Sequence, residues 1–434
     1  MLPVTAAQKI VAAPPAVRFC LSLWKNPGAS FQDGMKRILF AIPIVYGHNF
    51  GFWIRDSGLV VLALREMGYD ARLAALGDPA MPKEGHPILC ASLRDLSSAE
   101  WWKNQRPDAV VLNTWSAPRY DAIRRAALAA TPLVVERLDT DGARSAILFP
   151  REFIIRAWGG FWDKLPCFRS WLAMPLAIAR FLVHYLFPSA MDRRMVATMG
   201  QLPGLIAESP IAAERMQQMI ERFSGRRHLI EVIPHPVNED VLHYNGAPKE
   251  NRIITVGRWD TVQKDFPMLE KVLQKFLQSH PGWEATIVGK NIPAHFLAPR
   301  RETDNWRRRV ACYENLPHER LAAEYSRSKI YLIVSRYESF CIAAAEALCC
   351  GCSVVGSRDV PTSSYFAGAE SGAVAAPRMP DAFLEKLGSE VAAWAQGRRD
   401  PHAIAAIWKE RVGRGAVARA TLAFLSGIKI AEKT

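Results

Sequence analysis

Short apolar runs that end in glycine or charge alternate with helical patterns along most of this chain, and that alternation admits few folds. The first cycle is KRILFAIPIVYG (Lys36–Gly47), a helical pattern DSGLVVLALREMGYD (Asp56–Asp70) closed by Gly68, and a new apolar run from Ala71. Strand, glycine loop, helix and strand open a βαβ unit. PDAVVLNTW (Pro107–Trp115), TPLVVERLD (Thr131–Asp139), LPGLIAES (Leu202–Ser209) and HLIEVIP (His228–Pro234) continue the series. Runs this apolar suit parallel strands, which helices cover on both faces.

A second series starts at NRIITVGR (Asn251–Arg258). It runs through the helix FPMLEKVLQKFLQ, the strand WEATIVG (Trp283–Gly289), the helix ERLAAEYSRS, the strand KIYLIVS (Lys329–Ser335), the helix IAAAEALCC and the strand SVVGS (Ser353–Ser357). The join falls near YNGAPKE (Tyr244–Glu250), where Gly, Pro and charge interrupt the pattern. The expectation is an α/β chain of two Rossmann-like, parallel-sheet domains facing a central cleft, with ligands at the carboxyl ends of the strands. Residues 35–244 and 245–400 form the two domains, residues 1–34 a leader, and residues 401–434 a last helical stretch that crosses back to the first domain.

Half of the 434 residues are hydrophobic and 22% are charged, enough apolar surface to offset chain entropy, which excludes a disordered protein. The formal net charge of +13 favours phosphorylated ligands or acidic headgroups. No DNA- or RNA-binding motif accompanies it, so nucleic acid is not an expected partner. Of the eight cysteines, Cys341, Cys349, Cys350 and Cys352 crowd into an Ala-rich apolar segment that suits buried, reduced thiols, and no CxxC pair stands opposite a second such pair or a His pair, as a zinc site would need. No secretory signal is legible in the leader.

Residues 151–200 break the alternation with Trp, Phe, Leu and Arg, and read as a helical insertion in the first domain. Such a mixture suits a helix lying in a membrane interface, and equally one packed on the domain or on a second copy. Its longest apolar run, Trp171 to Phe187, falls short of the ~20 residues of a membrane span and carries Pro175, Arg180 and His184. A cytoplasmic protein, peripheral on the inner face of a membrane, is therefore expected.

Two segments carry chemistry. In SRYESFCIAAAEALCCGCSVVGS (Ser335–Ser357) a strand ends at Ser335 and a loop, Arg336 to Phe340, leads into a helix. Glu338 lies in the loop, where the unpaired N–H groups of the helix start bind phosphate. Glu346, eight residues on, sits in an apolar helix where an ionised carboxylate needs partners, and a ribose diol would supply them. In TVGRWDTVQKDFPML (Thr255–Leu269), Gly257 and Arg258 end a strand and Lys264 follows in the loop. Two cations at that edge suit a diphosphate and its developing charge. A third, weaker signal is Asp139-Thr140-Asp141, a DxD after an apolar strand, which can hold a divalent ion.

Together these residues resemble the retaining GT-B glycosyltransferases that include bacterial lipopolysaccharide, exopolysaccharide and mannosyl transferases, the "group 1" enzymes with a Glu-x7-Glu motif. The resemblance rests on Gly257, Arg258, Lys264, Ser335, Glu338, Phe340 and Glu346, and over the first half on architecture and the glycine loop. It implies transfer of a sugar from a nucleotide sugar, UDP- or GDP-linked, to a glycan or lipid-linked acceptor, with retention and without metal or other cofactor. It places Arg258 and Lys264 on the diphosphate, with Gly257 beside them. Glu338 falls at the anomeric centre as the catalytic residue, Glu346 on the ribose, and the backbone of Phe340, Cys341 and Ile342 around phosphate or sugar. Gly47 and Asp139 fall on the acceptor and sugar side. Departures are Cys341 where the family has glycine, Asp265 after Lys264, and His235-Pro236 after Pro234. A family histidine after the strand VVERLDTDG is also missing, leaving Asp139, Asp141 or Arg137 in its place. The rival readings are a metal-dependent GT-A transferase using Asp139 and Asp141, a nucleotide-sugar epimerase, and a non-catalytic scaffold that binds nucleotide sugars.

Overall fold

A computed structural model describes residues 35–47, 51–78, 85–162, 186–298 and 305–428. The expected leader, most of the aromatic run within the insertion, and the last six residues lie outside the described residues.

Two parallel sheets organise the chain. The first has the order β3-β2-β1-β4-β5-β6-β7, built from β1 (Arg37–Val45), β2 (Asp70–Leu76), β3 (Ile88–Ala91), β4 (Ala109–Leu112), β5 (Val134–Arg137), β6 (Gly204–Ala207) and β7 (Ile230–Val232). The second has the order β10-β9-β8-β11-β12-β13, from β8 (Glu250–Arg258), β9 (Glu284–Lys290), β10 (Val310–Tyr313), β11 (Ser328–Leu332), β12 (Ser353–Ser357) and β13 (Gly372–Ala375). Both are covered on two faces, and the central strands show why they read as continuous apolar runs. In β1, Ile38, Phe40 and Ile42 enter one core, while Leu39 and Ala41 enter the core on the opposite face. Ile253 and Ile254 of β8 divide in the same way.

In the first domain, α1 (Ser57–Glu66) covers one face, whereas α2 (Asp121–Leu128) and α3 (Pro210–Ser224) cover the other. Between β5 and β6 the insertion opens with α4 (Pro150–Trp162) and closes with α5 (Pro188–Met199). In the second domain, α6 (Phe266–Ser279) and α9 (Pro380–Ala395) lie on one face; α7 (His318–Arg327) and α8 (Ile342–Cys349) lie on the other. The chain then turns back. Helix α10 (Pro401–Val412) buries Ile404 and Trp408 in the second domain, and after Gly413 helix α11 (Arg414–Gly427) buries Leu422, Phe424 and Leu425 in the first. No helix of the described residues is long and apolar enough to cross a membrane.

In each sheet the strand order reverses beside the first strand of that domain, between β1 and β4 and between β8 and β11. Loops leaving such neighbours diverge to opposite faces and leave a crevice at the strands' carboxyl ends.

Candidate functional site

The loops after β8 and β11 flank the second crevice, and each brings one charged group into it. Lys264 Nζ lies 2.7 Å from Glu338 Oε1, joining residues 74 apart in sequence. Gln263 Nε2 donates to the other oxygen of Glu338 at 3.1 Å and to the Tyr337 carbonyl at 3.1 Å. The Lys264 and Glu338 side chains are only 17% and 6% exposed, so each depends on the other for its charge. Burial works against the Lys264 ammonium, but the adjacent Glu338 carboxylate outweighs it and raises the lysine above its ordinary value. Glycine at 257 permits this approach: a Cβ there would stand 3.3 Å from Cγ and Cδ of Lys264. At the neighbouring Gly289, with φ +136°, a Cβ would fall on the Gly257 carbonyl.

Arg258 lies near enough for its charge to act on Lys264. Its own side chain is 64% exposed, with Asp260 3.9 Å away as an ion-pair partner. Asp265 has turned from the crevice to Arg378 and Arg336. Cys341 precedes α8 at φ 69° with no side-chain cap, which leaves the first N–H groups of the helix to an external acceptor. Burial and the Glu338 charge push its thiol up to about 12. Phe340 is buried against Tyr365 and Phe366 and anchors the loop from below, while Ile342 begins the helix half-buried. Glu346, 7% exposed, accepts from the Tyr325 hydroxyl at 3.2 Å. Burial raises its carboxyl, and the charges of His318 and of Arg55, which comes from the opposite domain, partly offset that.

The first domain contributes a second network, of which sequence reasoning singled out only Asp139. Asp139 accepts from Trp115 Nε1 at 3.1 Å, lies 3.3 Å from His235 Nε2, and has Ser339, the residue after Glu338, near enough to favour its charge. Burial opposes its charge, yet these partners hold its carboxyl well below the usual range. His235 Nδ1 lies 3.2 Å from Asp56 Oδ1. The imidazole is 2% exposed, and although burial opposes protonation, Asp56 and Asp139 push it up to about 10. Behind them Glu208 accepts from the backbone N–H of Asp139 at 2.7 Å and of Thr140 at 3.2 Å. Burial, helped by the Asp139 charge, pushes its carboxyl up to about 7. Asp139, Glu208 and His235 hold potential ligand atoms within 4.8 Å of one another. The Asp141 carboxylate points elsewhere, to Arg156 and Arg215.

Backbone strain marks the same place. Asp56, Trp115, Ser116, Asp139, Asp265 and Cys341 all have φ between 44° and 72°, a region costing an L-residue roughly 1–2 kcal/mol. They sit in the loops that border the two crevices, and strain of this kind collects at functional sites. Helix α4 reaches the same loops from the insertion: Arg156 lies over the Tyr337 ring at 5.5 Å, and Arg151 stands 3.5 Å from Asp359.

Of the residues singled out from sequence, Gly257, Arg258, Lys264, Glu338 and Cys341 therefore meet at one crevice. Ile342 and Glu346 continue from it along α8, and Asp139 approaches it from the first domain near Ser339. Gly47, at the end of β1, has no hydrogen bond or ion pair to them among the described residues. His235 and Glu208 went unrecognised as site residues. The only local signal was a histidine between two prolines at the join, and a glutamate ending an apolar strand.

Residues 242–392 match the family model described as glycosyl transferases group 1. HepE from Anabaena, solved in complex with UDP, is similar with a TM-score of 0.61 at 14% identity, over 90% of this chain and 99% of that one. The lipopolysaccharide outer core galactosyltransferase WaaB gives 0.59 at 14% identity, over 89% and 99%. The sucrose-phosphate synthase of Thermosynechococcus elongatus gives 0.59 at 16% identity, over 90% and 98%. No curated protein sequence matches the chain. The two-sheet fold is thus shared with solved GT-B structures, and a GT-A architecture for Asp139-Thr140-Asp141 is set aside. The chain has the GT-B fold, and residues 242–392 within it are similar to the group 1 glycosyl transferases.

Proposed function

We propose that this protein transfers a sugar from a nucleotide sugar, UDP- or GDP-linked, to a glycan or lipid-linked acceptor, with retention of anomeric configuration. The observation that carries this reading is the Lys264–Glu338 pair at the second crevice, with Arg258 at its mouth and the uncapped start of α8 beside it. Lys264, Arg258 and the free N–H groups of Cys341 and Ile342 neutralise the departing diphosphate. A diphosphate entering there competes with Glu338 for Lys264 and frees the carboxylate to face the transferred sugar. Glu346 takes the ribose, exchanging its long bond to Tyr325 for a diol. Asp139 lines the sugar from the first domain, and the acceptor enters on the Gly47 side.

No metal or other cofactor is needed in this scheme. The DxD carboxylates are already bound to cations, Asp139 to His235 and Asp141 to Arg156 and Arg215, while lysine and arginine supply the positive charge. A thermal-shift screen against UDP, GDP, ADP and CMP and their sugars tests the donor. One nucleotide family should raise the melting temperature by mass action, and the same ligand should lose most of that shift on the Lys264→Ala protein. Equal shifts in both proteins would sink the assignment. Binding without donor hydrolysis or transfer would favour the scaffold reading.

A further inference from the structure

We infer that His235, on the segment joining the two sheets, is a positioning residue that holds Asp139 against the Glu338 loop and so sets the sugar side of the site. The inference rests on the donor reading above. Its geometry is a chain of contacts from one domain to the other. Asp56, at the start of α1, lies 3.2 Å from one imidazole nitrogen; Asp139, after β5, lies 3.3 Å from the other; and Ser339 of the donor loop is near enough to favour the Asp139 charge. The imidazole also lies 5.5 Å from the Phe340 ring, centroid to centroid. One buried cation thus touches the first-domain loops and the donor loop.

The charges close only if the imidazole is protonated. Asp56 and Asp139 bring two negative charges to a ring that is 2% exposed, and Glu208 adds a third carboxyl behind Asp139. Arg137, with Nη1 donating to the carbonyls of Ile233 and Pro234, supplies a further cation next to Glu208 and fixes the segment that carries His235. A half-buried carboxylate at Asp139 without the imidazole as partner would either take up a proton or swing to solvent. His235 prevents both, so Asp139 stays ionised at φ 44° with its carboxylate held between His235 and Trp115. Because Phe340 follows Glu338 by two residues, the imidazole's contact with that ring bears on where Glu338 stands.

The test uses the full chain and compares wild type with His235→Gln and Asp56→Asn. With UDP-glucose, or the nucleotide sugar that the screen selects, His235→Gln should lower kcat for transfer or donor hydrolysis at least tenfold. Nucleotide affinity should fall much less than kcat, because Arg258, Lys264 and Glu346 lie outside the loop 336–341 that His235 touches. In Asp56→Asn the loss of one carboxylate lowers the pKa of His235, so the alkaline limb of the kcat profile should move from near 10 toward neutral pH. A limb that stays put, or a parallel loss of kcat and nucleotide affinity, overturns the inference. Amide exchange in the loop 336–341 of the free protein gives a readout that needs no donor. Exchange should quicken at least tenfold in His235→Gln, and unchanged exchange overturns the inference even if the donor reading stands. Mn2+ or Zn2+ raising the melting temperature of wild type but not of His235→Gln would make the cluster a metal site and overturn it as well.

Discussion

At the scale of single residues, the site depends on charges that are buried in pairs. Lys264 and Glu338 make the sharpest case, because neither side chain has enough solvent to stay charged alone. Lys264→Ala should cost about 3–5 kcal/mol of stability, the usual result of leaving one member of a buried pair behind. The double variant Lys264→Ala/Glu338→Gln should recover part of that loss, since no unpaired charge remains. Urea denaturation of the four proteins in a double-mutant cycle reads the coupling directly. Additive losses would mean that the pair is held by its surroundings rather than by mutual attraction. The sign with pH follows from the raised lysine value. The lysine's contribution is fully present below its ordinary pKa and is lost as pH rises through the folded value, and the pair needs an ionised carboxylate as well, so the cycle belongs near pH 7.

At the scale of elements, the helix after Gly413 couples the end of the chain to its beginning. Helix α11 buries Leu422, Phe424 and Leu425 in the core beneath β1, and Gly204 of β6 has no side chain because Phe424 Cζ would stand 2.7 Å from its Cβ. Leu425→Ala should therefore cost about 2–5 kcal/mol and lower the melting transition of the first domain, although residue 425 follows the whole of the second. A change confined to the second domain in a domain-resolved exchange experiment would contradict this placement. The central strands and their helices were legible from pattern because both faces are buried. Arg37–Val45 and Glu250–Arg258 are the plainest examples. Three strands escaped that reading: Ile88–Ala91, Val310–Tyr313 and Gly372–Ala375. Each is an edge strand of four residues with at most two fully buried, so its apolar signal is short and diluted. The site divides likewise. Lys264 and Glu338 are legible because each sits next to its own strand end. His235 is not, because its meaning comes from Asp56 and Asp139, which are 179 and 96 residues away in sequence.

At the scale of the whole molecule, two crossings join the domains and lie side by side. Val237 on the outward crossing pairs in parallel with Gly413 on the return, and Glu239 accepts from the N–H of Arg414 at 2.7 Å. Bending about that line would open or shut the cleft where Arg156 meets Tyr337 and His235 meets Phe340. The insertion that supplies Arg156 also carries apolar surface outward. Ile147 and Ile154 are 41% and 45% exposed at its entry, Leu186 and Phe187 are 63% and 61% exposed at its exit, and Arg151, Arg193 and Arg194 are exposed among them. Apolar side chains flanked by arginine suit an interface of acidic headgroups and acyl chains, and a lipid-linked acceptor would meet the cleft there. The full chain should sediment with vesicles of 30% phosphatidylglycerol in phosphatidylcholine, several-fold more than with pure phosphatidylcholine. That difference should shrink at 0.5 M salt through screening of the arginines. A Leu186→Ser/Phe187→Ser variant should lose vesicle binding while keeping its nucleotide-induced thermal shift. If the variant sediments as well as wild type, the exposed apolar ends of the insertion are not a membrane contact, and the acceptor must be sought among soluble glycans.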